Sequence, residues 1–137
     1  MIRITSDILP FSGFTAMTVW PFIFVRRDRE HLYTKRLDRH EHIHAIQQTE
    51  TLVVGMAVAA GLMAAGCGWW SLLAVPLFFW WYVTEWLVRL AFGQDMDEAY
   101  RGLFFEREAY GHQDEEDYLL RRRPLAWLFH RGDHPCP

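Results

Sequence analysis

A chain of 137 residues has room for a single domain, and a formal net charge of −3 leaves no basic field for nucleic acid; no stretch interleaves aromatics with Lys and Arg as a single-strand binder does. The two cysteines, Cys67 and Cys136, have neither the number nor the spacing of a disulfide framework or a cysteine zinc site, which is compatible with a reducing compartment. Apolar residues make up 51% of the chain, including seven Trp and ten Phe, more than a soluble domain of this size readily covers.

Met1 to Pro10 alternate polar and apolar residues and lack the basic-then-apolar order of a secretory signal. Residues 14–26 are rich in β-branched and aromatic types, with Ser12-Gly13 before them and Pro21 inside, and predict one or two short strands with an edge or a bend at the proline. This strand region is expected to occupy residues 1–35. A helix is predicted to begin between Leu32 and Asp38, with Asp38 in its first turns where the helix dipole favours a carboxylate, and to run through Gln47 and Gln48 into the apolar stretch Leu52 to Ala65.

From Leu52 to Val83 there is no charged residue, a run well beyond the roughly 20 residues that cross a bilayer. Gly66-Cys67-Gly68 followed by Trp69-Trp70 predicts a turn at the far side of a membrane. The expectation is a helical hairpin with spans near 48–65 and 70–92, the first rich in Ala and Gly for close approach, the second in Trp, Phe and Leu. All Lys and Arg lie outside the hairpin tip, which by the positive-inside rule puts both ends in the cytoplasm, at the inner membrane. The rival is a soluble helical pair buried in its own core or in a dimer, and a homo-oligomer stays open. Glu85 and Arg89 stand four apart and can pair on one face. A further helix is expected over 96–119, then a basic tail, 120–137, with an amphipathic piece from Leu125 to Phe129 and a frayed end. The fold class predicted is thus mainly α: a membrane hairpin plus site helices and a short N-terminal strand or hairpin.

The chemistry concentrates in His40-Glu41-His42-Ile43-His44. On a helix, positions i and i+4 lie one above the other, so His40 and His44 can aim two imidazoles at one zinc ion, while Glu41, about 100° further round, addresses a water and can act as general base. A catalytic zinc needs a third protein ligand and an open position. Helical phase puts Glu106 on a face with Ala99, Leu103, Ala109 and Tyr110, and Glu108 on a mostly polar face with Arg101, Phe104, His112 and Glu115, so Glu106 is the better third ligand. His42 points away from the His40–His44 face. His112 or Tyr110 is a candidate to steady an oxyanion, and Gln47 and Gln48 to cap the site on its membrane side by hydrogen bonds.

His-Glu-x-x-His followed by a glutamate on a later helix resembles the gluzincin metallopeptidases, and Glu106-x-x-Ala109-Tyr110 resembles the Glu-x-x-Ala-Asp of HtpX-like and prenyl-protein membrane proteases, with Tyr110 in place of their aspartate. Phe22 to Arg26, His40 to Gln48, Pro76 to Glu85 and Ala99 to Tyr110 are together similar to a group of small bacterial membrane proteins. The resemblance implies a zinc metallopeptidase acting on peptide or membrane-protein segments near the cytoplasmic membrane surface. It also implies an edge strand, the Met17 to Val25 segment, that binds substrate by strand addition; the other reading is an edge strand that merely packs on the helices. The alternative is a zinc-binding or adaptor membrane protein without catalysis, for which Glu41 would be dispensable.

Overall fold

The computed structural model describes residues 1–11 and 13–129; the expectations for Ser12, Cys136 and the frayed end lie outside the described residues. The chain is mainly helical, with a small three-stranded sheet at its N-terminus. Strand β1 (Ile2–Ser6) pairs parallel with β3 (Phe22–Arg26), and β2 (Ala16–Val19) pairs antiparallel with the other side of β3, giving the order β1-β3-β2. The predicted strands within 14–26 are β2 and β3. β1 falls within the strand region expected over 1–35, although no strand was delimited there, and its residues carry the alternation that Met1 to Pro10 displays.

Alternation along β2 and β3 sends Ala16, Thr18, Ile23 and Val25 to the buried face, where Tyr33 and Leu37 cover the apolar members. A 3₁₀ turn over Arg27–Leu32 leads to helix α1 (Lys35–Ala64). Thr34 caps it, its hydroxyl accepting the Leu37 N–H at 3.3 Å. At 30 residues α1 is about 45 Å long, and it changes character along its length. Its first half is buried at His40, Glu41, Ile43, His44, Gln47, Gln48 and Thr51; beyond Leu52 only Gly55 and Ala59 are buried, while Val53, Val54, Met56, Val58, Leu62 and Met63 are exposed.

The return arm differs from the predicted continuous span over 70–92. A 3₁₀ segment, Gly68–Ala74, is followed by helix α2 (Leu77–Ala91), and the two are bent by 63°. Pro76 sits at the break: without an N–H it cannot continue the preceding ladder, and it is tolerated as the residue that opens the next helix. Among the described residues no single helix is long and apolar enough to cross a membrane, and only this bent pair passes that test of length and composition together. Gly55 lets the arms meet. A Cβ there would lie 2.8 Å from the Val75 carbonyl oxygen and closer still to that of Ala74.

The helix predicted over 96–119 is broken into α3 (Met96–Arg101), α4 (Phe104–His112) and α5 (Tyr118–Arg121), with α6 (Ala126–Phe129) beyond. Gly102 caps α3, and Leu103 is extended, so the axis turns there. Glu85 of α2 fixes the restart of α4. One of its oxygens takes the predicted pair with Arg89 at 2.9 Å, and the other accepts the Phe104 N–H at 3.3 Å. Phe78, Phe105 and Trp127 form the buried cluster that ties α2, α4 and α6 together.

Candidate metal centre

His40, Glu41 and His44 ride on the buried half of α1, opposite α4, which presents Glu106 and Glu108. His40 Nε2 and His44 Nε2 are 3.1 Å apart; the Glu106 carboxylate sets Oε2 3.4 Å from the first and Oε1 3.3 Å from the second. All three residues are buried and form a cluster able to hold a metal ion. Two ligand atoms about 2.0–2.1 Å from a tetrahedral zinc stand about 3.3 Å apart, close to the spacing of the two imidazole nitrogens and of each from its nearer carboxylate oxygen. Glu106 Oε2 and His40 Nδ1 are buried with no hydrogen-bond partner. A carboxylate oxygen left without a donor in a buried site is costly, and a cation held between it and two imidazole nitrogens removes that cost. The donor set therefore fits a metal ion of zinc type.

Electrostatics point the same way. Burial would push the Glu106 carboxyl up, but His44 and His40 outweigh it and hold it well below the usual carboxylate range. Burial would push His44 down, yet Glu106, with Glu41 and Gln47, raises it to about 9. In the metal-free protein a proton on His44 does the work of a cation.

The surroundings of Glu106 were not foreseen. Tyr82 of α2 donates to Glu106 Oε1 at 2.8 Å, and Tyr100 of α3, its ring 6.4 Å from that of Tyr82, is close to the same carboxylate. Tyr110 itself packs edge-on to His40, ring centres 4.7 Å apart. Tyr82 and Tyr100 both fall in the motifs Pro76 to Glu85 and Ala99 to Tyr110, but nothing in either motif marks them as facing a glutamate on another helix.

Glu41 is buried beside the sheet. Thr18 of β2 donates its hydroxyl to Glu41 Oε2 at 2.7 Å and to the Glu41 carbonyl at 3.1 Å. Of the Met17 to Val25 segment expected at a sheet edge, only the β2 part lies there; β3, which carries the rest, is the central strand because β1 pairs with its other side. The pairing of β2 with β3 turns the N–H and C=O groups of Met17 and Val19 inward and those of Ala16 and Thr18 outward. Gln48 occupies part of that outer edge: its amide donates to the Thr18 carbonyl at 2.8 Å and accepts the Trp20 N–H at 2.8 Å. Among the described residues the Ala16 N–H and C=O and the Thr18 N–H remain without a partner. Beside Gln48 a cleft of about 310 Å³ opens between β2, α1 and α2, lined by Trp20, Leu52, Pro76, Phe78 and Phe79 among others.

Other expectations fall elsewhere. Glu108 is fully buried, not on a polar face, because Tyr118 and Arg122 from the C-terminal segment cover it. His112 is bonded to Glu115 at 2.8 Å and stacked on Tyr118, so it belongs to that segment and not to the metal cluster. His42 is tied to its own helix through the Asp38 carbonyl at 2.8 Å. Gln47 bonds His44, whereas Gln48 serves the strand edge.

Comparison with known proteins finds no matching family model, no matching curated protein and no matching solved structure.

Proposed function

We propose that this chain is a zinc-dependent endopeptidase of gluzincin type that works at the cytoplasmic surface of the inner membrane. The observation that carries the reading is the buried cluster of His40, His44 and Glu106: imidazole nitrogens 3.1 Å apart, each 3.3 to 3.4 Å from one oxygen of the carboxylate, with Oε2 lacking a hydrogen-bond donor. Zinc, when bound there, supplies a Lewis acid that polarises a carbonyl and brings the pKa of water toward neutrality.

The chain's own residues supply the rest. His40, His44 and Glu106 hold the ion. Glu41 accepts a proton from the attacking water and returns it to the departing amine, and the Thr18 hydroxyl holds the Glu41 carboxylate in place, leaving its other oxygen for that water. The outward groups of Ala16 and Thr18 offer an extended peptide a donor–acceptor–donor row on the strand whose threonine contacts the base. The apolar cleft at the end of that row favours a large apolar side chain on the substrate.

Membrane association rests on the apolar arms. Trp69 and Trp70 are 82% and 79% exposed at the hairpin tip, Trp80 and Leu87 are exposed on α2, and so is Phe92 just after it. Aqueous exposure of so much contiguous apolar surface is unfavourable, and a bilayer removes it. The charged residues stand at the other end with the metal cluster. Cleavage of an unfolded protein by purified protein in detergent tests the activity: wild type cuts, and Glu41→Gln, which keeps all three ligands, does not. Equal cleavage by both overturns the role given to Glu41.

A further inference from the structure

The His44 imidazole has a second nitrogen, and its partner opens a chain of buried contacts that ends in the C-terminal segment. His44 Nδ1 meets the side-chain oxygen of Gln47 at 2.8 Å. Gln47 cannot turn its amide round, because its NH2 group donates to the Phe105 carbonyl and to Glu108 Oε2, both at 3.0 Å. Its oxygen therefore faces His44, which makes Nδ1 the donor and leaves Nε2 to point at the cluster.

Glu108 is held in turn. Tyr118 and the Arg122 Nε donate to its Oε1, and a terminal Arg122 nitrogen donates to Oε2 at 3.1 Å. The Arg122 side chain is 3% exposed and also grips Glu50 of α1, at 2.6 and 3.0 Å. Glu50 closes the loop by accepting the N–H of Leu125 at 2.9 Å. Leu125 has φ of 57°, the left-handed region that a large apolar residue rarely enters, so its backbone is held there by its contacts.

We propose that Gln47, Glu108 and Arg122 are positioning residues for the metal centre: they fix the tautomer and ring direction of His44, and they make the C-terminal segment from Tyr118 to Leu125 a clamp on which metal affinity depends. This rests on the reading of the triangle as a zinc site. It assigns Glu108, two residues on from the ligand Glu106, to the far side of His44. It also accounts for how a site with Tyr110 beside His40, where its relatives by resemblance carry an aspartate, can still hold one histidine by a buried carboxylate: the support goes to His44, through an amide.

An isosteric change discriminates. Both oxygens of Glu108 accept donors, so Glu108→Gln sets an NH2 group against either Gln47 or the Tyr118–Arg122 pair, whichever way it turns, while Arg122 keeps Glu50. Gln47→Ala removes the link to His44 and leaves Glu108 paired with Arg122 and Tyr118. Zinc affinity by competition with a chelator, and the visible absorption of the cobalt-substituted full chain, are the readouts. Both variants are expected to bind zinc about 10- to 100-fold more weakly than wild type and to change the cobalt bands. Gly55→Ala, which strains the hairpin away from the cluster, is expected to leave both unchanged. Should Gln47→Ala fail to fold, Glu108→Gln decides on the same criteria. Wild-type affinity and spectrum in the folded variants overturn the inference while the metal site stands; a wild type that takes up no zinc overturns the metal reading and this one with it.

Discussion

On the proposed zinc reading, entry of the ion into this site displaces a proton, and the number released follows from the surroundings of His44. His44 is buried against Glu106 and titrates near 9 in the metal-free protein, against an ordinary 6.5. At about pH 7 it is therefore almost fully protonated, and the nitrogen carrying the exchangeable proton is the one that faces the cluster, because Nδ1 is committed to Gln47. Zinc binding is expected to release about one proton per chain from this residue, and the apparent affinity to rise about tenfold per pH unit through the neutral range, levelling off above about pH 9. Titration calorimetry in buffers of different ionisation enthalpy measures the proton count directly. The same shift acts on stability. Because the folded value lies above the unfolded one, His44 stabilises the metal-free protein fully below pH 6.5, and this contribution is lost as pH rises through about 9. At about 1.4 kcal/mol per pKa unit it amounts to a few kcal/mol. Thermal scans without metal should thus show stability falling from pH 6.5 to 9, and scans with zinc should show a gap that widens over the same interval. No proton release near neutrality, or a metal affinity flat from pH 6 to 8, would refute the charge arrangement described for His44 and Glu106.

Two further outcomes follow from single contacts. Gly55→Ala places a methyl group against the backbone carbonyls of Ala74 and Val75, neither of which can swing aside, and should destabilise the protein by about 1–3 kcal/mol; denaturant midpoints in detergent check this, and an unchanged midpoint means the arms are not in contact at this glycine. Tyr82→Phe removes the hydroxyl that donates to Glu106 Oε1, and should weaken zinc binding by about tenfold while leaving the helix content unchanged; chelator competition and circular dichroism give the two numbers.

The residues of the site were more legible than the scaffold that aims them. His40 and His44 follow from i, i+4 spacing alone, and Glu106 follows from its phase with Ala109 and Tyr110, which survives because both lie within α4, after the break at Gly102. Glu108 was misplaced on a polar face for a reason that periodicity cannot detect: what buries it is Arg122, fourteen residues on, reaching back from beyond the turn at 113–117. Strand β1 needed a parallel partner twenty residues away, a pairing that the local pattern of Ile2 to Ser6 does not encode. The bend in the return arm was written in Pro76, but an apolar run that long reads as continuous until the helix is seen to restart at Leu77. The tyrosines around Glu106 come from α2, α3 and α4, and only tertiary packing brings them together.

The proposed function requires one ion held by three side chains and one base that does not hold it. Metal analysis of the purified full chain, run beside its cleavage activity, addresses both at once. The prediction is one zinc per chain in wild type and in Glu41→Gln, cleavage by the first only, and little zinc or cleavage in His44→Ala or Glu106→Ala. A wild type free of zinc after purification and reconstitution, or a His44→Ala variant that retains a full equivalent, would contradict it.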